Sequence, residues 1–133
     1  MITIQMLTDL YNAYVDTFRG ADGNLPPMME LKRIHTAQVV ANARLIAKGE
    51  GFDAETARAC DAAALLHDTG RYEQLKRYNT FRDSDSVDHA VFSHDIVKGK
   101  GWLDGDPQRG GKLTGAFWWH EGKCDIIFHN NSS

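Results

Sequence analysis

A histidine and an aspartate stand side by side at positions 67 and 68, directly after the apolar run Ala62-Ala63-Ala64-Leu65-Leu66. An imidazole and a carboxylate are costly to bury next to leucine unless something compensates them, and a metal ion does so directly. Adjacent helical residues point about 100° apart, so the two side chains can converge on one ion only where a helix ends. Gly70 is placed to end that helix and to free the backbone there, which makes the pair a candidate metal site.

Further histidines lie on the neighbouring predicted helices. His35 follows Ile34 near an apolar face, where it is either a ligand or a histidine satisfied within the core. On a later helix His94 lies on a partly apolar stripe and His89 projects elsewhere, so one of the two is structural. Imidazole and carboxylate ligands without thiolates favour one or two divalent transition-metal ions (Mn, Fe, Co, Ni or Zn) over Mg.

The hydrophobic spacing predicts an all-α fold, because the strand signal is weak throughout. The predicted helices are Thr8 to Arg19 with Leu10, Tyr14 and Phe18 on one face; about Met28 to Lys48 with an apolar set that includes Leu31, Ile34, Val39 and Leu45; Asp53 into His67-Asp68; and Ser84 or Asp85 to Lys98-Gly99 with a stripe of Val87, Ala90, Val91, His94 and Val97. Asp53 is a good N-cap for the third of these.

Three stretches fall outside those helices. Residues 71–78 form a basic, aromatic, half-exposed segment, and 79–83 form a loop. The basic residues Arg71, Lys76, Arg77 and Arg82, taken alone, are typical of a solvated face. The glycine-rich residues 99–111 are expected to form a mobile connection, after which 112–133 regains apolar character.

Length and composition limit the possible classes. At 133 residues we expect a single domain, and a net charge of -3 makes binding to a nucleic-acid backbone unexpected. Cys60 and Cys124 fit neither a disulfide framework nor a zinc spacing, which favours a reducing cytoplasm. The N-terminus lacks the features of a signal peptide, and no apolar run reaches membrane-spanning length, so no membrane association is expected.

The histidine pattern resembles the HD-domain superfamily of metal-dependent phosphohydrolases. The matching stretches are Leu31-Lys32-Arg33-Ile34-His35-Thr36, Leu65-Leu66-His67-Asp68-Thr69-Gly70-Arg71 and Asp83-Ser84-Asp85-Ser86-Val87-Asp88-His89-Ala90. The likeness covers roughly residues 28–97 and leaves 112–133 atypical. It implies a single-domain helical bundle of the HD-domain type.

The resemblance also implies roles for individual residues. His35, His67 and Asp68 would ligate a metal, Asp68 could bridge two ions, and His89 resembles a second-metal ligand. His129, followed by Asn130, looks like a further ligand, and His120 is its rival. Members usually add a late aspartate, which is not found here. Water, Asp125 or another subunit would then supply the last ligand, or the chain is shortened and its catalysis compromised.

Three functions follow as hypotheses. The first is a phosphohydrolase acting on a phosphomonoester or a nucleotide-like small molecule, in which Asp68 orients or deprotonates the attacking water. In this hypothesis Arg71, with Lys32 and Arg77, binds the substrate and neutralises developing charge. The second is a metal- or nucleotide-binding module without turnover, and the third, which has less support, is a di-iron oxygenase of the HD type. The aromatic cluster Phe117-Trp118-Trp119 suggests a homo-oligomer.

Overall fold

A computed structural model describes residues 3–102, which form five α-helices and one short 3-10 turn without a strand. The elements are α1 (Ile4–Asp16), α2 (Pro27–Gly49), α3 (Ala54–Leu66), α4 (Gly70–Tyr78), the 3-10 turn (Asp83–Asp85) and α5 (His89–Lys100). The predicted all-α class is confirmed. None of the helices in this range is long and apolar enough to cross a membrane.

The second and third helices were predicted to within about a residue, and α3 begins behind Asp53, whose carboxylate accepts a hydrogen bond from the Thr56 amide. The first helix was wrong at its start, since α1 begins four residues earlier, behind Thr3. Thr8, where the predicted helix began, lies inside α1 and donates its hydroxyl to the Ile4 carbonyl. The last helix was also wrong at its start, because Asp88 caps α5.

The buried helix faces differ from the predicted ones by a small rotation. On α1 the core face is Leu7, Tyr11 and Val15, and on α2 it is Met29, Thr36, Val39, Ala43 and Ala47. Three residues assigned to the α2 core are exposed instead: Leu31, Ile34 and Leu45. On α5 Ser93 and Val97 are buried, whereas Val91 is exposed.

Small residues set the distance between α2 and α3. Ala43 on α2 packs with Cys60, Ala63 and Ala64 on α3 in one buried cluster. A larger core is built from residues of all five helices and includes the fully buried Leu66 and Tyr72. Both ends of the turn between α3 and α4 are therefore held by packing, and this turn carries the His67-Asp68 pair.

The segment after Gly70, expected to be half-exposed, is the helix α4, with Tyr72, Gln74 and Leu75 buried. Gly70 does not end α3; it is the first residue of α4. A Cβ atom at position 70 would lie 2.8 Å from the Ser93 amide nitrogen, so the glycine is required by the close approach of α5. Its amide donates to Ser93 Oγ at 2.7 Å.

Predictions that concern residues 103–133 lie outside the described residues. They include the roles of His120, Asp125 and His129, the aromatic cluster 117–119, and the mobile connection beyond position 102. The single-domain organisation of 1–133 likewise stays a prediction.

Candidate metal centre

His67 and Asp68 lie in a three-residue turn between α3 and α4, as the sequence argument required. The turn is closed by two backbone hydrogen bonds, from the Thr69 amide to the Leu66 carbonyl and from the Arg71 amide to the Asp68 carbonyl. Asp68 is only 5% exposed, so its carboxylate is fixed in a polar hollow within the core. The turn keeps right-handed helical dihedrals at His67 and Thr69, but its hydrogen bonds span three residues instead of four.

Three side chains meet there with donor atoms close enough to share a cation. One ligand atom each from His35, His67 and Asp68 lies within 4.8 Å of the others. The rings of His35 and His67 pack edge to face, with centroids 5.8 Å apart. Burial is the main cause of a lowered pKa at His35, so its imidazole keeps an available lone pair to a lower pH than an exposed histidine does.

The hydrogen bonds of His67 determine which ring nitrogen faces Asp68. Its Nδ1 lies 2.7 Å from the Ala64 carbonyl oxygen, which can only accept, so Nδ1 carries a hydrogen. Its Nε2 lies 3.3 Å from Asp68 Oδ2. In the neutral ring this nitrogen is an acceptor that faces a second acceptor, an arrangement that a proton or a cation between them would stabilise.

His89 repeats this arrangement on the other carboxylate oxygen. Its Nδ1 donates to Asp83 Oδ2 at 2.7 Å, and its Nε2 lies 3.5 Å from Asp68 Oδ1. Asp68 is thus flanked by one Nε2 atom on each oxygen. This donor set suits a divalent transition metal and leaves room for a carboxylate shared by two ions.

Opposing effects act on the ionisation of Asp68. Burial by itself would raise its pKa, but the hydrogen bond with His67 and the charge interactions with His67, Lys32 and His89 lower it by more. They hold the pKa of Asp68 well below its usual range. The carboxyl group is therefore an anion throughout the neutral range and a ready cation ligand.

The Arg71 side chain lies next to Asp68. Its Nη1 contacts Gln74 Oε1, the Phe81 carbonyl and Asp83 Oδ1 at 2.8–3.1 Å. Its Nε is buried, has no hydrogen-bond partner among residues 3–102, and lies 3.8 Å from Asp68 Oδ1. A buried guanidinium N–H without a partner, beside a candidate metal site, is a suitable donor for an anionic ligand.

Lys32 and Arg77, the other basic residues predicted to bind substrate, lie in different places relative to the His-Asp group. Lys32 Nζ and Arg71 Cζ both lie over the Phe81 ring, 5.2 and 5.6 Å from its centroid, so Lys32 is at the edge of the site. Arg77 pairs with Glu73 and lies over Phe92. The role of Arg77 in substrate binding stays a prediction.

Sequence reasoning missed the residues that surround these ligands. Asp83 and Gln74 were read as parts of a loop and of a half-exposed segment, yet both contact Arg71. The sequence signal for Asp83 was an acidic residue six positions before His89, and this pattern is too common to identify a functional residue. His94, the other α5 histidine, lies beside Asp95 at 3.4 Å and outside the group.

Comparison with known proteins gives one family match. A family model described as "HD domain" matches residues 33–104, more than half of the chain. The matched range contains His35, His67, Asp68, Arg71 and His89. Neither a curated protein nor a solved structure gives a significant match.

Proposed function

Because the chain belongs to the HD domain family, within the superfamily of metal-dependent phosphohydrolases, we propose that it hydrolyses a phosphomonoester or a nucleotide-like small molecule. The observation that carries the proposal is the Asp68 carboxylate with an imidazole Nε2 on each oxygen, next to the partnerless Nε of Arg71. This arrangement combines atoms that can ligate a cation with an N–H group that can donate a hydrogen bond to phosphate. HD domains bind divalent metals, and His35, His67 and Asp68, with His89, would hold one or two ions.

A divalent cation bound there supplies Lewis-acid activation of water and of a phosphoryl oxygen. In the reaction the water oxygen forms a bond to phosphorus, the ester P–O bond breaks, and the alcohol leaves with a proton. Asp68 orients the water through its ionised carboxylate. Since its pKa is depressed, orientation is a better role for Asp68 than proton removal.

Arg71 and Lys32 recognise the phosphoryl group. Three acceptors fix Nη1 of Arg71, so its Nε is aimed without further ordering of the side chain. A preorganised donor of this kind stabilises charge that develops on the transferring group. Lys32 adds a second positive charge from α2, with its Nζ 5.2 Å from the centroid of the Phe81 ring that Arg71 also contacts.

The proposal is tested with the purified chain stripped by a chelator and reloaded separately with Mn²⁺, Fe²⁺, Co²⁺, Ni²⁺ or Zn²⁺. We expect phosphate release from at least one member of a panel of nucleotides and sugar phosphates, and no release from the stripped protein. Metal binding without release across the panel would favour a non-catalytic binding module. Dependence on dioxygen together with an iron-linked absorption band would favour the oxygenase.

Arg71→Lys should raise KM for the phosphorylated substrate about tenfold and lower kcat less. Lysine keeps the charge but lacks the guanidinium fork and its Nε donor. Steady-state kinetics measure both constants. Arg44→Lys is the matched control, because Arg44 is exposed and pairs with Asp61 on the neighbouring helix. An equal change in KM in the two variants would show that Arg71 does not bind the substrate.

A further inference from the structure

Asp83 lies in the 3-10 turn before α5, and both of its carboxylate oxygens accept hydrogen bonds from residues at the candidate metal centre. Oδ2 accepts from His89 Nδ1 at 2.7 Å, and Oδ1 accepts from Arg71 Nη1 and Gln74 Nε2, both at 3.1 Å. One half-buried carboxylate thus contacts a histidine that faces Asp68 and the arginine proposed to bind phosphate. These two groups come from different helices.

Buried groups of α4 hold this carboxylate in place. Gln74 is fully buried, and its amide nitrogen also lies 2.9 Å from Ser86 Oγ and 3.3 Å from the Val87 carbonyl. Arg71 donates to the Phe81 carbonyl on the other side of Asp83. The loop is therefore fixed on both sides of Asp83, and the position of its carboxylate is defined before any ligand binds.

A rival interpretation treats Asp83, Asp88 and His89 as a cation site of their own, since their ligand atoms also lie within 4.8 Å of one another. The hydrogen bonds argue against it. His89 Nδ1 cannot both donate to Asp83 and bind a cation, and Asp88 Oδ1 caps α5 by accepting from the amides of Ala90 and Val91. Nε2, which faces Asp68, is then the nitrogen left for a metal.

We propose that Asp83 is a positioning residue that fixes the His89 ring with Nε2 toward Asp68 and anchors Arg71, and so couples metal binding to phosphate binding. Only the part of this inference that concerns phosphate binding by Arg71 rests on the proposed function. A carboxylate on the second nitrogen of a metal-binding histidine sets the tautomer and ring orientation, and its loss typically lowers metal affinity 10–100-fold.

The test compares Asp83→Asn with two control variants. Asp85→Asn removes a carboxylate from the same turn, one that pairs with exposed Arg82. Asp88→Ser keeps an N-cap for α5 but removes the second carboxylate of the rival site. Titration with Mn²⁺ and Co²⁺ should show an affinity lowered roughly 10–100-fold in Asp83→Asn alone, and KM should rise in the same variant.

A second measurement needs neither activity nor a folded variant. Nitrogen NMR of the metal-free wild-type chain, at a pH above the histidine range, should show His89 with hydrogen on Nδ1 and none on Nε2. Hydrogen on Nε2 would overturn the proposal, as would unchanged metal affinity in folded Asp83→Asn. An equal loss in Asp88→Ser would instead identify the acidic cluster as the metal site. If His89 has the expected tautomer and Asp83→Asn the expected loss of metal affinity, but the wild-type chain hydrolyses no substrate, only the proposed function is contradicted.

Discussion

Asp68→Asn is expected to lose bound metal and to lower kcat/KM at least about 1,000-fold, which corresponds to about 4 kcal/mol of transition-state stabilisation. The substitution keeps size and shape but removes the negative charge between the Nε2 atoms of His67 and His89. The new amide can donate to one of these nitrogens, which satisfies it without a cation. Elemental analysis of the purified variant and steady-state kinetics measure the two effects.

Asp61→Asn is the matched control for this prediction. Asp61, seven residues earlier on α3, is a partly buried carboxylate that pairs with Arg44 at 3.4 Å and has no part in the His-Asp group. We expect this variant to keep its metal and its activity. Wild-type metal content in Asp68→Asn, with circular dichroism showing an intact fold, would contradict the assignment of the site.

Gly70→Val is expected to destabilise the chain by about 3 kcal/mol and to lower Tm by roughly 10 °C. A Cβ atom would lie 2.8 Å from the Ser93 nitrogen and 3.0 Å from the His89 carbonyl oxygen, both of them backbone atoms of α5. The helix would have to move, and the buried bond from the Gly70 amide to Ser93 Oγ would be lost. Urea unfolding and calorimetry measure the change.

Metal affinity should fall together with stability in this variant, because α5 carries His89 at its first turn. Gly99→Ala is the control. Gly99 lies in the same helix, nothing is within 4 Å of the Cβ it lacks, and alanine there should stabilise the helix by about 0.5–1 kcal/mol. A Gly70 variant as stable as Gly99→Ala would show that α4 and α5 do not need their close approach.

The first helix shows what hydrophobic spacing cannot resolve. Leu10, Tyr14 and Phe18 have the same four-residue spacing as Leu7, Tyr11 and Val15, and the second stripe is the buried one. Both satisfy a helical period, and only the partners available on α3 and α4 select between them. The helix itself was predictable, whereas its inner face was not.

The polar segment after Gly70 was misjudged for a related reason. Its basic residues suggested exposure, yet Tyr72 and Gln74 are fully buried. The Tyr72 hydroxyl is satisfied by the Tyr11 hydroxyl at 2.6 Å, and the Gln74 amide by the loop around Asp83. Partners 9, 12 and 61 residues away in the sequence made burial of these polar groups favourable, and local composition does not report them.

The sequence alone determined the all-α class, the second and third helices, and the position of His67-Asp68 at a helix end, because hydrophobic periodicity, an N-cap and the geometry of adjacent residues are local properties. It also marked His35 and His89 as candidates. Tertiary structure decided which ring nitrogens face Asp68, why position 70 is glycine, and that Asp83 contacts both His89 and Arg71. The His67 ring is oriented locally, by the Ala64 carbonyl three residues earlier. The other features depend on the distance and angle between α4 and α5, which packing sets across the core and which no single stretch of the chain encodes.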